Sequence, residues 1–140
     1  MYLLFIRLTD LVIGFVGIGA GLVLLPFILV GNLLANRGSL FYSQERVGKN
    51  GVVFNIVKLR TMIKNAEANG AVFTTLNDSR VTAFGKIMRK TRIDEFPQFY
   101  NIIKGEMSVI GPRPERPVFV NEIAEKMPFY ETRHVIRPGL

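Results

Sequence analysis

The chain of 140 residues contains no cysteine and only one histidine, His134. The absence of cysteine excludes disulfides, thiolate nucleophiles and cysteine-based zinc sites, and a lone histidine disfavours a histidine-based metal centre. No GxxxxGK[ST] run occurs, and the glycines within Gly17–Gly21 have the wrong spacing and context for a dinucleotide-binding loop. Carboxylates are therefore the best candidates for catalytic groups.

Acidic residues are also scarce relative to basic ones. The chain has 18 Lys and Arg against 11 Asp and Glu, which gives a formal net charge of +7. Such a balance ordinarily favours a nucleic-acid partner. The cations are scattered here, they accompany a long apolar segment, and no nucleic-acid recognition motif is present. We therefore expect anionic membrane lipids, and no nucleic acid, as the partner of the basic surface.

A long run without a charged residue, Leu11–Ala35, lies near the N-terminus. As a straight helix it would be about 37 Å long, against about 30 Å for the hydrocarbon layer. The run is too long, and the positive charge before it too small, for a cleaved signal peptide, so we expect it to be retained. The cations that follow it place the downstream domain in the cytoplasm.

Two features of this segment leave its arrangement open. Pro26 removes a helical hydrogen bond and can bend the chain, yet spanning helices tolerate proline, and the sequence alone favours a simple span. Gly14, Gly17 and Gly21 share one helical face, and their spacing would let a second helix approach closely. A homodimer is one interpretation of this face; the general frequency of glycine in membrane helices is the other.

The segment from Leu40 to Leu59 is predicted to form a β-hairpin. Its strand-like runs, Leu40–Val47 and Val52–Leu59, flank Asn50-Gly51, a strong hairpin turn signal. Alternation along the second strand brings Lys58 and Arg60 out beside an apolar patch, where Lys58 can reach a phosphate or a lipid headgroup. A solvated strand end is the alternative, above all for Arg60.

Apolar periodicity further along the chain predicts short helices. They cover Thr61–Asn69, Val81–Lys90 and Val118–Met127, with a turn or cap at Asn77–Ser79. The fold class expected from these elements is α+β, with an N-terminal membrane segment, residues 1–36, and a small, mostly helical domain, residues 37–140.

An acidic pair, Asp94-Glu95, precedes Pro97 in the run TRIDEFPQFYN. The apolar spacing predicts a helix that begins near Asp94 and ends at Gly105, with the pair at its cap or first turn because Pro97 does not fit deeper in a helix. Asp94 is then an ordinary N-cap, or an ionised nucleophile with a lowered pKa beside N–H groups that suit a phosphate. Glu95 would then be a sufficient carboxylate ligand for Mg²⁺.

Arginines surround this pair in the sequence. Arg113 and Arg116 lie between the prolines of GPRPER, a stiff segment suited to phosphate contacts, although a surface turn explains them equally well. Arg80 and Arg89 belong to the most basic stretch of the chain. Cations beside a diphosphate would offset the charge that develops in phosphoryl transfer; alternatively they form a membrane-facing surface.

Several separated blocks together resemble the bacterial sugar transferases, the monotopic polyprenyl-phosphate glycosyl-1-phosphate transferases. The blocks are KLRTM from Lys58, DSRVTAFGKIMRKTRIDEFPQFYN from Asp78, KGEMSVIGPRPE from Lys104 and RPG from Arg137. The resemblance implies transfer of a sugar 1-phosphate from a UDP-sugar to polyprenyl phosphate, with Mg²⁺, through an aspartyl phosphosugar intermediate and with release of UMP. This is the first membrane step of lipid-linked glycan synthesis, at the cytoplasmic face of the inner membrane.

The resemblance also implies roles for individual residues. Asp94 is similar to the nucleophile and Glu95 to the carboxylate associated with magnesium; Arg113 matches the arginine of the PRP motif, and Arg80 and Arg89 match basic positions. It implies a re-entrant helix-break-helix rather than a span, although Leu25 stands where the family commonly has serine. The chain stops earlier than family members do, so we expect an incomplete C-terminal end, and an inactive membrane scaffold or fragment is the alternative function.

Overall fold

The computed structural model describes residues 1–68, 70, 72, 75 and 78–140. The fold is α+β, as the sequence predicts, with one long apolar helix, a two-stranded antiparallel sheet and three short helices among these residues. The elements are α1 (Tyr2–Gly31), β1 (Phe41–Val47), β2 (Val53–Leu59), α2 (Ala83–Lys90), α3 (Gln98–Lys104) and α4 (Pro117–Lys126).

The predicted hairpin is confirmed. β1 and β2 pair in a register that sets Tyr42 opposite Lys58, and the turn between them carries Asn50 at φ 57° and Gly51 at φ 76°. Asparagine and glycine adopt this left-handed region most readily, which is why the dipeptide marks the turn. The inner side of β2 packs on α3 and the segment after it, in a core cluster of Phe54, Ile56, Ile102 and Met107.

The prediction of a helix at Thr61–Asn69 is wrong over the part of it that the structure describes. Its backbone pairs instead with the segment before α2, since Thr82 N–H donates to Thr61 O at 3.0 Å and Ile63 N–H to Arg80 O at 2.9 Å. Turns follow, and Asn69 lies outside the described residues. Apolar spacing alone did not reveal that these backbone groups have long-range partners.

The helix expected after the acidic pair is shorter than predicted. Ile93–Glu95 form a separate 3-10 turn, Pro97 is the N-cap, and α3 begins only at Gln98. The end is correct, because Gly105 terminates α3 at φ 85°. The neighbouring helices differ from prediction by one or two residues at their starts: Thr82 caps α2 by accepting the Gly85 N–H at 2.9 Å. The expected turn at 77–79 is found at Asp78–Arg80, while Asn77 lies outside the described residues.

Helix α1 runs through Pro26 without interruption and lies along the domain. Its glycine face packs on α3: Gly14 faces Ile103, Gly17 faces the Phe99 ring and Gly21 faces Phe96. The face that the sequence offered for a second helix is therefore filled by the chain itself. A homodimer stays a prediction, and it would have to use another surface.

Both ends of the α1 segment are fastened to the domain. Near the start, Arg7 donates to Ile102 O at 2.7 Å, and the buried Asp10 carboxylate accepts from Ser108 Oγ at 2.8 Å and Val109 N–H at 2.9 Å. These contacts lie at the far end of α3 from the acidic pair.

The other attachment lies just after α1. A π-helical turn, Asn32–Asn36, continues the helix, and Asn36 donates to Arg60 O at 2.9 Å while the Arg60 guanidinium donates back to Asn36 O at 3.0 Å. Arg60 is only 7 % exposed. The alternative of a solvated strand end is therefore wrong for Arg60, because its guanidinium is buried and donates to the carbonyls of Ser39, Met62 and Asn36.

The outward side of α1 is apolar and uncovered. The helical segment Leu3–Asn36 is, among the described residues, the one helix long and apolar enough to cross a membrane, with mean hydropathy 2.5 and 17 % of its most apolar stretch buried. Exposed large side chains follow its whole length, among them Leu4, Val12, Phe15, Val23 and Phe27. A surface of this size and composition fits contact with a membrane or with another apolar partner.

Candidate active site

The acidic pair lies on the turn between α2 and α3, close to Ile28 of α1. Its 3-10 turn follows α2 directly, and Ile93 at its start packs into the cluster formed by Ile28 of α1 with Leu59 and Met88. On the opposite side Asp94 and Glu95 line a cleft of about 1140 Å³. The turn is thus held by the core on one side and presents two carboxylates to the cleft on the other.

Glu95 is surrounded by cations. Its Oε1 lies 3.1 Å from Lys58 Nζ and 3.4 Å from Arg113 Nη2, and its Oε2 lies 3.4 Å from Arg92 Nη1. Burial by itself would raise the pKa of Glu95, but the cations, Lys58 foremost, lower it below its usual value. Glu95 is therefore ionised throughout the neutral range.

Asp94 differs from its neighbour and from the sequence-based expectation. It is 8 % exposed, and its Oδ1 is buried without a hydrogen-bond partner among the described residues. Burial and then the charge of Glu95 raise the pKa of Asp94, while Lys58 and Arg89 partly oppose the rise. The predicted lowered pKa is wrong, because Asp94 is not the N-cap of α3, and desolvation outweighs the hydrogen bond its carboxylate makes to its own backbone.

Three of the predicted binding residues share this cleft with the acidic pair. Lys58 reaches it from the end of β2, Arg89 from the last turn of α2, and Arg113 from the PRP segment. Arg89 is oriented by a bond from its Nε to Thr61 Oγ1 at 2.8 Å. Burial and then the nearby arginine lower the pKa of Lys58 despite the opposing effect of Glu95. Residues from four separate stretches therefore converge on one cleft.

The other two predicted binding residues are held elsewhere. Arg80 forms a two-pronged pair with Asp78, with Nη2–Oδ2 at 2.6 Å and Nε–Oδ1 at 2.9 Å, and does not line the cleft. Arg116 pairs with Glu67 through two bonds of 3.0 and 3.2 Å, and only its partner lines the cleft. A substrate-binding role for either arginine remains a prediction, and it would require these ion pairs to open.

Some cleft residues were not proposed from the sequence. Tyr42, Gln44 and Arg46 alternate on β1 and so face one side, and Gln44 Nε2 contacts the Tyr42 hydroxyl at 2.9 Å. Their period-two spacing within the hairpin was visible in the sequence, but nothing there showed that the cleft opens on that face. Arg92 lines the cleft as well, and its position two residues before Asp94 was the available signal.

The donor set of the cleft determines which metal it suits. No group of three or more His, Cys, Asp or Glu side chains that could hold an ion occurs in the described part of the chain. Two adjacent carboxylates are nevertheless hard oxygen donors, and Mg²⁺ commonly takes one or two such ligands together with substrate phosphates. Glu95 would hold such an ion, arriving with a diphosphate, only after its contacts with Lys58 at 3.1 Å and with Arg92 and Arg113 at 3.4 Å have opened.

Comparison with known protein families identifies the family. The model of the family described as bacterial sugar transferase matches residues 1–140. The chain belongs to this family. The resemblance drawn from the sequence blocks is thereby confirmed, and the acidic pair and the PRP arginine lie in one cleft.

Three relatives are named as transferases of a sugar phosphate to undecaprenyl phosphate. The chain is 50 % identical over 107 residues to the UDP-N-acetylgalactosamine-undecaprenyl-phosphate N-acetylgalactosaminephosphotransferase of Aeromonas hydrophila, covering 76 % of this chain and 25 % of the relative. It is 42 % identical over 132 residues to a Bacillus subtilis (strain 168) protein provisionally named an undecaprenyl-phosphate N-acetylgalactosaminyl 1-phosphate transferase, covering 94 % and 74 %. The UDP-glucose:undecaprenyl-phosphate glucose-1-phosphate transferase of Caulobacter vibrioides is 36 % identical, with 82 % and 44 % covered.

The chain covers only part of the length of these relatives. It spans a quarter of the Aeromonas relative, less than half of the Caulobacter relative and about three quarters of the Bacillus relative. The relatives are sugar-phosphate transferases that act on undecaprenyl phosphate by name, and their named sugars differ.

Proposed function

We propose that this sugar transferase moves a sugar 1-phosphate from a UDP-sugar to a polyprenyl phosphate at the cytoplasmic face of the inner membrane. The proposal rests on the pair Asp94-Glu95 in a cleft lined by Lys58, Arg89 and Arg113, on a turn whose Ile93 packs into the cluster that includes Ile28 of α1. A water-soluble diphosphate and a lipid phosphate can meet at such a place. The names of the relatives support the reaction type.

In the first step a carboxylate oxygen of Asp94 bonds to the sugar-bearing phosphorus of the UDP-sugar. The bond from that phosphorus to the bridging oxygen breaks, and UMP leaves with the electron pair. Lys58 and Arg113 hold the diphosphate and offset the charge that develops on the departing oxygens. A bound Mg²⁺ at Glu95 would supply further neutralisation of that charge.

In the second step a phosphate oxygen of the polyprenyl phosphate attacks the phosphorus of the aspartyl phosphosugar. The acyl phosphate bond breaks, and the Asp94 carboxylate is restored with its electron pair. Division into two steps gives the two substrates access to one phosphorus in turn. No proton transfer is needed in either step, which agrees with a site of carboxylates and cations without histidine among the cleft residues.

We further propose that both ends of α1 stay on one side of the bilayer, so that this helix, which is continuous through Pro26, does not cross it. Arg7 and Asp10 near its start, and Asn36 just after it, are all hydrogen-bonded to the same domain. A simple span would carry Arg7 and Asp10 to the opposite side of the membrane from the residues they contact. These contacts support ends on one side over the span that the sequence alone favours, whereas the break that the resemblance implies is absent from α1, which is continuous through Pro26.

The test is UMP release by the protein in nanodiscs, given UDP-sugar, polyprenyl phosphate and Mg²⁺, with Asp94→Asn alongside. UDP-N-acetylgalactosamine is the first donor to try, because the relatives at 50 % and 42 % identity carry that sugar in their names. We expect release by the parent only, and a phosphosugar adduct on intact-mass analysis of the parent when acceptor is omitted. Turnover by Asp94→Asn would overturn the assignment of the nucleophile.

The Asn variant is a fair control for folding. Folding raises the pKa of Asp94, so at a pH above its folded-state pKa the charged carboxylate lowers the free energy of unfolding. Removing that charge in Asp94→Asn should therefore not destabilise the protein at neutral pH. If both proteins are folded and membrane-bound, and neither releases UMP with any UDP-sugar, the inactive scaffold becomes the better description.

A further inference from the structure

The segment that carries Arg113 is held in place through its backbone carbonyls. Pro112 and Pro114 have no N–H to donate, so the carbonyls provide the hydrogen bonds that fix this stretch of backbone. The carbonyls of residues 112, 113, 114 and 115 accept, in that order, from Gly139 N–H at 2.9 Å, Arg133 Nη2 at 2.7 Å, Arg46 Nη1 at 3.1 Å and Val47 N–H at 2.9 Å. The RPG block, which has no place in the proposed mechanism, thus supplies the first of these donors.

The Arg113 side chain depends on this anchoring. It is 57 % exposed, and its one hydrogen-bonded or charged side-chain partner among the described residues is Glu95, whose Oε1 lies 3.4 Å from Nη2. A single contact at that distance is weak and does not fix a long side chain. The direction in which Arg113 enters the cleft is therefore set mainly by the backbone at residue 113.

Arg133 holds that backbone from outside the cleft. It belongs to a 3-10 segment, Tyr130–Val135, that follows α4. Its guanidinium donates to the Tyr130 hydroxyl as well as to Arg113 O, and it lies 4.8 Å above the Tyr130 ring. Stacking and two hydrogen bonds give this half-buried arginine a defined position of its own.

The other side-chain donor to the segment differs from Arg133 in one respect. Arg46 lines the cleft, and it also forms an ion pair with Glu115 at 3.6 Å, so its removal would change the cleft directly. Arg133 does not line the cleft. An effect of Arg133 on a substrate in the cleft must therefore pass through Arg113.

We propose that Arg133 is a positioning residue for the donor substrate: its bond to the Arg113 carbonyl directs the Arg113 guanidinium at the diphosphate of the UDP-sugar. The inference rests on the proposed function, and it gives a role to a residue that lies outside the sequence blocks that carry the family resemblance. A small displacement of a group that orients a reacting phosphate is costly, even when the change that causes it lies far from the chemistry.

The experiment separates the two steps in the nanodisc-embedded protein. Release of UMP without acceptor, at increasing UDP-sugar, reports donor binding and the first step, and a chase with polyprenyl phosphate reports the second. Arg133→Ala removes both hydrogen bonds, whereas Arg133→Lys keeps the charge and one donor. Lys126→Ala is the matched control, since Lys126 is an exposed cation of α4 that does not line the cleft.

For Arg133→Ala we expect the half-saturating UDP-sugar concentration to rise about tenfold, the size of a lost charge-assisted hydrogen bond, and the second step to stay within about twofold of the parent. Arg133→Lys should recover most of the loss, and Lys126→Ala should match the parent. In an Arg113→Ala background the change at Arg133 should add less than about twofold, because the side chain that it directs is absent.

The same background distinguishes positioning from folding. A loss of the same size with and without the Arg113 side chain would assign Arg133 to structure only and overturn the inference alone, as would an unchanged donor dependence in Arg133→Ala. An equal effect of Lys126→Ala would reduce the result to general charge. If Arg133→Ala does not fold, Tyr130→Phe replaces it, because it removes only the hydroxyl that accepts from Arg133; the donor dependence should then rise by a smaller factor, and an unchanged value would overturn the inference. Absence of UMP release by the parent would overturn the proposed function, and this inference with it.

Discussion

The packing of α1 along the domain is tested most directly at two of its glycines. A Cβ built on Gly17 would lie well inside contact distance of three ring atoms of Phe99, whereas a Cβ on Gly19 meets nothing within 4 Å. Both residues lie in the same helix, so alanine brings the same gain in helix propensity, about 0.5–1 kcal/mol. Only Gly17→Ala adds overpacking.

The difference between the two variants isolates the contact with α3. Forcing a methyl group into packed surroundings costs about 1–3 kcal/mol. For a chain of this size that corresponds to a midpoint difference of roughly 3–12 °C between Gly17→Ala and Gly19→Ala. Gly19→Ala should be as stable as the parent or slightly more stable, and Gly17→Ala less stable.

The assay is a thermal unfolding scan of both variants and the parent in the same nanodiscs. A second change gives the reasoning an internal check: Phe99→Leu removes the ring that Gly17→Ala would strike. The double variant should be less destabilised than the sum of the single variants. Equal midpoints for the two glycine variants, or strict additivity with Phe99→Leu, would refute the packing of α1 on α3 at this point.

Two further predictions concern the chemistry and the membrane. Burial raises the pKa of Asp94, and the charge of Lys58 opposes that rise. Lys58→Gln should therefore raise the pKa of Asp94 further and move the acid limb of the pH profile of UMP release to higher pH. An acid limb that does not move would contradict the coupling between Lys58 and Asp94. The chain has no cysteine, so Leu3→Cys and Lys64→Cys each report one position to a membrane-impermeant maleimide. Both should stay unlabelled in intact cells and react once the cytoplasmic face is exposed, whereas labelling of Leu3→Cys in intact cells would indicate a span.

Local sequence signals were sufficient to predict the fold wherever a backbone conformation requires one residue type. Asn50-Gly51 fixed the hairpin and Gly105 the end of α3, since both turns need positive φ. They failed where the deciding partner is distant: Thr61–Ile63 pair with Arg80–Thr82, and the segment predicted as a helix is a bridge followed by turns over its described part. Apolar spacing carries no information about backbone pairing across twenty residues.

For the candidate site too, some features could be predicted from the sequence and others could not. The residue types that suit phosphoryl transfer, and the family, follow from the order of Asp94-Glu95, the PRP segment and the basic stretch. The sequence does not show that these residues converge on one cleft. Nor does it show that Arg80 and Arg116 form ion pairs with Asp78 and Glu67. An arginine beside an anion-binding motif looks the same in sequence whether its charge is free or neutralised.

Residue types and their order along the chain were enough to predict an uncharged apolar segment, a hairpin, a carboxylate pair before a proline and an excess of cations. The surroundings of these parts became visible only in the folded chain. The tertiary structure placed the glycines of α1 against Phe96, Phe99 and Ile103, buried Asp94 enough to raise its pKa, and fastened both ends of the apolar segment to one domain. The physical reason is that burial, desolvation and ion pairing depend on which distant residues meet, and the spacing of residues along the chain does not encode those distances.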